Sequence, residues 1–152
     1  MEIPHEVARL FTAQHFAIVA TVGKDGTPHA ACKGIVKMEA EGRVYLLDLY
    51  SGTTSRNLER NPRMSITAVD EDHFAGYCLK GTARLAEADE MDPALIEEWR
   101  GRISRRITHR IIKSIRGEKP HPRHPEALLP VPKRLIVLEV DGIVDLTPGH
   151  MK

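Results

Sequence analysis

Hydrophobic and polar residues along this chain alternate in some stretches and recur every three or four positions in others, and the two periods mark out its elements. Ile3, Val7, Leu10 and Phe11 fall at i, i+4, i+7 and i+8, one face of a short N-terminal helix. His15 to Val22 reads as a strand, closed by Gly23-Lys24-Asp25-Gly26, in which Asp25-Gly26 is a strong hairpin signal. A second strand runs from Thr27 to Met38, and Glu39-Ala40-Glu41-Gly42 turns it into a third, Arg43 to Leu49. These three are expected to pair as an antiparallel meander. Ser51 to Arg60 is a polar loop that becomes one or two helical turns. It stops at Asn61-Pro62, because a residue before proline is driven out of the helical region. Strand four, Arg63 to Val69, sets Met64, Ile66 and Ala68 on one face. Strand five, Phe74 to Ala86, sets Tyr77, Leu79, Gly81, Ala83 and Leu85 against Cys78, Lys80, Thr82 and Arg84.

Beyond it, Asp92-Pro93 opens a long helix, with proline at its favoured first position. Leu95, Trp99, Ile103, Ile107, Ile111 and Ile115 recur every four residues along that helix. A proline-rich loop, Pro120 to Pro132, leads to the last strand, Arg134 to Leu146. Six strands, short antiparallel connections and few helices predict a mainly β architecture, a closed or partly closed six-stranded antiparallel barrel with flanking helices. The helix and loop of 92–132 then form an insertion before the last strand.

Length and composition narrow the picture. The 152 residues suit one domain, 1–152, whose core buries roughly 70% of the unfolded surface without help from disulfides or metal. Cys32 and Cys78 lie far apart and lack ligand spacing, and Cys32 reads as a small buried apolar residue. No metal site is expected. There is no apolar signal segment before the first helix and no run of ~18 apolar residues, so the expectation is a cytoplasmic protein with no membrane span.

A net charge of +1 hides an uneven distribution: residues 1–99 carry −6, residues 100–123 carry +8 and residues 124–152 carry −1. The excess sits on the helix of 94–116, in Arg100, Arg102, Arg105, Arg106, Arg110, Lys113 and Arg116. Such a face is ordinarily solvated or packed beside opposite charge, and it could also hold an anionic substrate. Nucleic-acid and membrane binding are the disfavoured readings. His121 and His124, interleaved with prolines and without a third ligand nearby, read as a solvent-exposed loop.

Three segments carry a resemblance. They are Ala20-Thr21-Val22-Gly23-Lys24-Asp25-Gly26-Thr27-Pro28-His29, then Thr53-Thr54-Ser55-Arg56-Asn57-Leu58-Glu59-Arg60-Asn61-Pro62-Arg63, then Leu79-Lys80-Gly81-Thr82-Ala83-Arg84-Leu85. In this order across 15–86, with a last strand at 134–146, the chain resembles the FMN-binding split barrels of the pyridoxamine 5'-phosphate oxidase superfamily. The resemblance implies a homodimeric split β-barrel that binds FMN where the subunits meet and carries out a flavin-dependent oxidation or reduction of a small molecule. The alternatives are a non-catalytic flavin carrier or electron-transfer protein, or a barrel holding haem or a deazaflavin instead. The resemblance stops short of the true oxidases. Their second phosphate site draws on an Arg- and His-bearing C-terminal segment that 145–152 does not match.

The phosphate of FMN, with nearly two negative charges, needs several donors. Ser51, Thr53, Thr54 and Ser55 supply hydroxyls, Gly52 allows close backbone approach, and the amides of the following turn carry the positive end of a helix dipole. Arg56 adds a forked, charge-assisted contact, and the loop is taken through Asn57. Without its flanking hairpins the same cluster reads as an ordinary helix cap. Many members of the superfamily carry a basic residue where this chain has Thr54, so charge neutralisation falls to Arg56, to Lys33 or to the partner subunit. The resemblance also lays the flavin ring along Ala31, Cys32 and Lys33, with Asp48 reached from strand three. Lys33 is then the candidate charge beside the N1–C2 oxygen edge, where reduction creates negative charge; the competing reading is a solvated strand lysine.

Overall fold

A computed structural model describes residues 1–14, 16–87, 89, 91–101, 104–105 and 133–151. Its elements are α1 (His5–Ala13), β1 (Ala17–Val22), β2 (Pro28–Lys33), β3 (Ile35–Glu39), β4 (Arg43–Asp48), α2 (Thr53–Arg60), β5 (Arg63–Asp70), β6 (Ala75–Glu87) and β7 (Arg134–Asp145). The strands form one antiparallel sheet in the order β2-β1-β5-β6-β7-β4-β3. Its two outermost strands, β2 and β3, are consecutive in the chain and separated only by Gly34. One strip of chain therefore supplies both edges, and the sheet has to curl into a half-barrel to allow it.

That strip accounts for seven strands in place of the six expected. The predicted strand from Thr27 to Met38 breaks at Gly34 and changes partner, from β1 (Ala17↔Lys33) to β4 (Ile35↔Leu46). The expected meander is corrected accordingly: its middle strand is two strands at opposite ends of the sheet order. Ile35 and Val36, adjacent in sequence, are both buried, because one joins the inner core and the other a cluster on the outer face.

Inside the curl, Val19, Leu46, Ile66, Leu79, Ile136 and Leu138 are almost fully buried. Ile3, Val7 and Phe11 of the N-terminal segment pack into the same core, with Leu10 at its margin. On the outside, Val36, Leu47, Leu135 and Val137 pack with Ala86, Met91 and Trp99. Residues 93–101 are helical, and Trp99 and Leu95 belong to this outer cluster, the first two members of the predicted four-residue repeat. Covered on both faces, β7 reads as the unbroken apolar run Leu135–Leu138 instead of an alternation. Ile103, Ile107, Ile111 and Ile115 lie outside the described residues, as do most of the basic residues of 100–123, the Pro120–Pro132 loop and both its histidines.

Two glycines are required where they stand. Gly26 has φ +84°, and beside it the Thr27 amide donates to Asp25 Oδ1 at 3.0 Å, the turn predicted from Asp25-Gly26. Gly81 sits at the register shift between β6 and β7, where a Cβ would run into the carbonyl oxygen of Glu139. No helix among the described residues is long and apolar enough to cross a membrane.

Candidate functional site

The site is organised by α2, a helix with little apolar material of its own. It is flanked by Gly52 before it and Asn61 after it, whose extended backbone (φ −137°, ψ 107°) is what the following proline demands. Thr54, Ser55, Asn57 and Leu58 face inward and are buried, while Thr53, Arg56, Glu59 and Arg60 are exposed. Only Leu58 is apolar among the inward four, so polar contacts must fasten the helix, and each buried polar group needs a partner. The Ser55 hydroxyl donates to Asp48 Oδ2. Asn57 Nδ2 donates to Thr21 Oγ1 at 3.0 Å, and Arg60 donates to Asn57 Oδ1 at 2.7 Å.

Asp48, the last residue of β4, is 0% exposed. Lys33, the last residue of β2, donates from Nζ to Asp48 Oδ1 at 2.6 Å, with its side chain 12% exposed. Burial pushes the Asp48 carboxyl up. The hydrogen bonds from Lys33 and Ser55, the Lys33 charge and the Tyr50 amide outweigh it, and hold the group below the ordinary carboxylate range. One carboxylate thus ties together the ends of β2 and β4 and the first turn of α2.

Between Asp48 and α2 the backbone turns sharply. Ser51 has φ +47°, a left-handed conformation that costs a non-glycine residue roughly 1–2 kcal/mol. Gly52 precedes α2 with open space where a side chain would stand, and it contributes no side-chain cap. The first intrahelical bond is from the Arg56 amide to the Gly52 carbonyl, at 3.2 Å. The amides of Thr53, Thr54 and Ser55 are therefore the helix's unpaired N-terminal donors. Arg56 reaches back over this turn and donates from Nη2 to Thr53 Oγ1 at 3.0 Å. These three amides, the Thr53 hydroxyl and the Arg56 guanidinium suit one terminal phosphate, and the uncapped turn behind Gly52 leaves it backbone access.

The residues singled out from sequence thus divide into two groups. Ser51, Gly52, Thr53 and Arg56 form the open loop. Thr54, Ser55 and Asn57 turn their side chains into the body of the protein, where the last two act as anchors. Lys33 is the partner of Asp48 and not a solvated strand lysine. Ala31 is half-buried, and Cys32 is exposed, which corrects the expectation of a buried thiol: β2 lies at a sheet edge and leaves its outward residues uncovered. Sequence reasoning missed Thr21 and Arg60 as partners of Asn57. The available signal was Thr21's place in the buried alternation Ala17, Val19, Thr21, a polar residue in a core position. Among the described residues no three His, Cys, Asp or Glu side chains gather as metal ligands.

The sequence profile of the family described as pyridoxamine 5'-phosphate oxidase matches residues 3–139. No curated protein matches the chain. The chain is similar in fold to HupZ of Group A Streptococcus, with a TM-score of 0.65, 24% identity and coverage of 97% of this chain and 96% of that one. It is also similar to a protein from Clostridium acetobutylicum related to general stress protein 26 of B. subtilis, of the pyridoxinephosphate oxidase family (TM-score 0.58, 14% identity, coverage 97% and 95%). A third similar structure is an F420 reductase (TM-score 0.58, 15% identity, coverage 93% and 98%).

Proposed function

The chain belongs to the pyridoxamine 5'-phosphate oxidase family, and from that premise we propose that it is an FMN-binding flavoprotein, a flavin-dependent oxidoreductase of a small molecule, working as a homodimer with the cofactor where the two copies meet. The observation that carries this reading is the uncapped first turn of α2, with Gly52 open before it and Arg56 folded over it. Its donors match a single phosphate. Bound FMN supplies the electron-accepting ring; the chain's own residues fix where that ring sits. The α2 amides and Arg56 hold the phosphate, the backbone at Ala31 and Cys32 borders the ring, and Lys33 offers the N–H groups that Asp48 does not use.

The dimer is supported by the outward face of the sheet. Cys32, Ile18, Thr67, Cys78 and Val144 lie in one cross-strand row over five strands. Cys32, Ile18 and Val144 of that row are exposed, as are Val22 and Val69, which strand alternation puts on the same face, and Phe16 and Leu146 next to the ends of β1 and β7. A contiguous apolar face of this kind is characteristic of a surface that associates, and a second copy would cover it beside β2, where the ring is proposed to lie.

One experiment tests both parts. Purified protein supplied with FMN, sedimented with detection at the flavin absorbance, should carry its colour in a species of twice the 17.0 kDa chain mass. Colour left unsedimented defeats the cofactor; colour on the single chain defeats the dimer. A deazaflavin or haem bound instead declares itself in the spectrum.

Arg56 is the one cation of the loop, since the Lys33 charge is answered by Asp48. Arg56→Ala is therefore expected to weaken FMN binding about 10- to 100-fold, the worth of a charge-assisted phosphate contact of roughly 1.5–3 kcal/mol. An unchanged dissociation constant in a fluorescence titration would move the role to a basic residue of the partner subunit.

A further inference from the structure

We infer that Asp48 is a positioning residue that fixes Lys33 as a charge-compensated ammonium at the flavin, so that the pair and not the lysine alone sets the cofactor's redox balance; this rests on the proposed function. Asp48 has no exposure and holds two groups at once, the Lys33 ammonium through Oδ1 and the Ser55 hydroxyl through Oδ2. Those groups come from the two parts of the proposed site, the ring strand β2 and the phosphate helix α2. An ammonium has three N–H donors, and Lys33 directs one of them at Asp48. The other two are not used by Asp48 Oδ1, and the side chain at the end of β2 keeps 12% exposure.

Reduced flavin carries more negative charge than oxidised flavin, so an uncompensated ammonium beside it favours the reduced form. Asp48, in direct contact with that ammonium, offsets the preference. Removing the Asp48 charge while keeping its shape should unmask Lys33 and raise the potential. Removing both charges should return it. A purely structural Asp48 predicts no such reversal.

The test uses the full chain, wild type, Asp48→Asn and Asp48→Asn/Lys33→Met, in two measurements. Without cofactor, nitrogen-15 spectra of the lysine ammonium groups should show one slowly exchanging Nζ signal in the wild type and lose it in Asp48→Asn. With FMN bound, Asp48→Asn should shift the ratio of affinities for reduced and oxidised flavin about tenfold toward the reduced form, about 30 mV for a two-electron couple. The double variant should lie back near the wild type. An absent ammonium signal in the wild type overturns the inference. So does an Asp48→Asn potential equal to wild type, or an equal shift in the double variant, which would show that Asp48 acts without Lys33. If Asp48→Asn fails to fold, the double variant, which leaves neither charge buried, decides alone: a potential far below wild type overturns compensation. A wild type that binds no FMN overturns the proposed function and this inference with it, whereas a bound flavin with unmoved potentials overturns this inference only.

Discussion

Phe11→Ala is expected to lower the free energy of unfolding by about 3–5 kcal/mol, the range for deleting a fully buried aromatic ring. Phe11 is 0% exposed and lies in the inner core with Val7 and Ile3. It is the largest fully buried side chain of the molecule's described part. A half-barrel curled around its own inner face cannot close further when that ring is removed, because the sheet's curvature is fixed by β2 and β3 meeting at Gly34. The cavity should therefore persist, which places the loss toward the upper end. Urea unfolding reads it directly, as a fall in midpoint at unchanged slope. A loss below about 1 kcal/mol would mean that α1 moves freely enough to refill the space.

Lys33→Met is expected to be comparably damaging at neutral pH and much milder in acid. Breaking a buried ion pair by removing one partner costs about 3–5 kcal/mol, because the remaining charge is left uncompensated. In the wild type the folded carboxyl of Asp48 titrates below its unfolded value of about 3.9. Its contribution is thus fully present above that value and lost as pH falls through the folded one. In Lys33→Met, burial, already the largest single influence on Asp48, faces only the Ser55 hydroxyl and the Tyr50 amide. The folded carboxyl should then titrate above about 3.9. Its contribution is present below that value and disappears as pH rises through the raised one, so the two proteins should show opposite slopes of stability against pH in the acid range. Parallel slopes in denaturation series between about pH 3 and 7 would rule out the buried pair as the cause.

How much of this could be read in advance differs between fold and site. The elements up to Glu87 were legible because each has its own period and its own stop: Asp25-Gly26, Glu39 to Gly42, Asn61-Pro62. The break at Gly34 was not, since a glycine inside an apolar run says nothing about which strand lies opposite, and partner exchange is a property of the whole sheet. The Ser/Thr/Gly/Arg loop was legible as a cluster of donors. What sequence could not give is which hydroxyls look outward. Ser55 and Asn57 are ordinary site candidates by type, yet α2 has a single inward apolar residue and needs them as anchors. Asp48 and Lys33 lie fifteen positions apart, at the ends of strands in different parts of the sheet order. Only the curl brings them together.

The place of β7 in the sheet also bears on synthesis. Among the described strands it comes latest in the chain, yet it lies between β6 and β4. Until it emerges from the ribosome, the growing chain holds two unjoined pieces, β2-β1-β5-β6 and β4-β3, whose facing edges are open to pairing with other chains. The contacts that seal them are distant in sequence, Tyr77 with Asp145 and Arg43 with Glu139, and pairings of that range slow folding. The length of the intervening segment adds little, because loop-closure entropy grows only logarithmically. A chain stopped short of Arg134 would thus carry two open edges, on β6 and β4, beyond those of the complete sheet, a natural target for chaperone capture during translation.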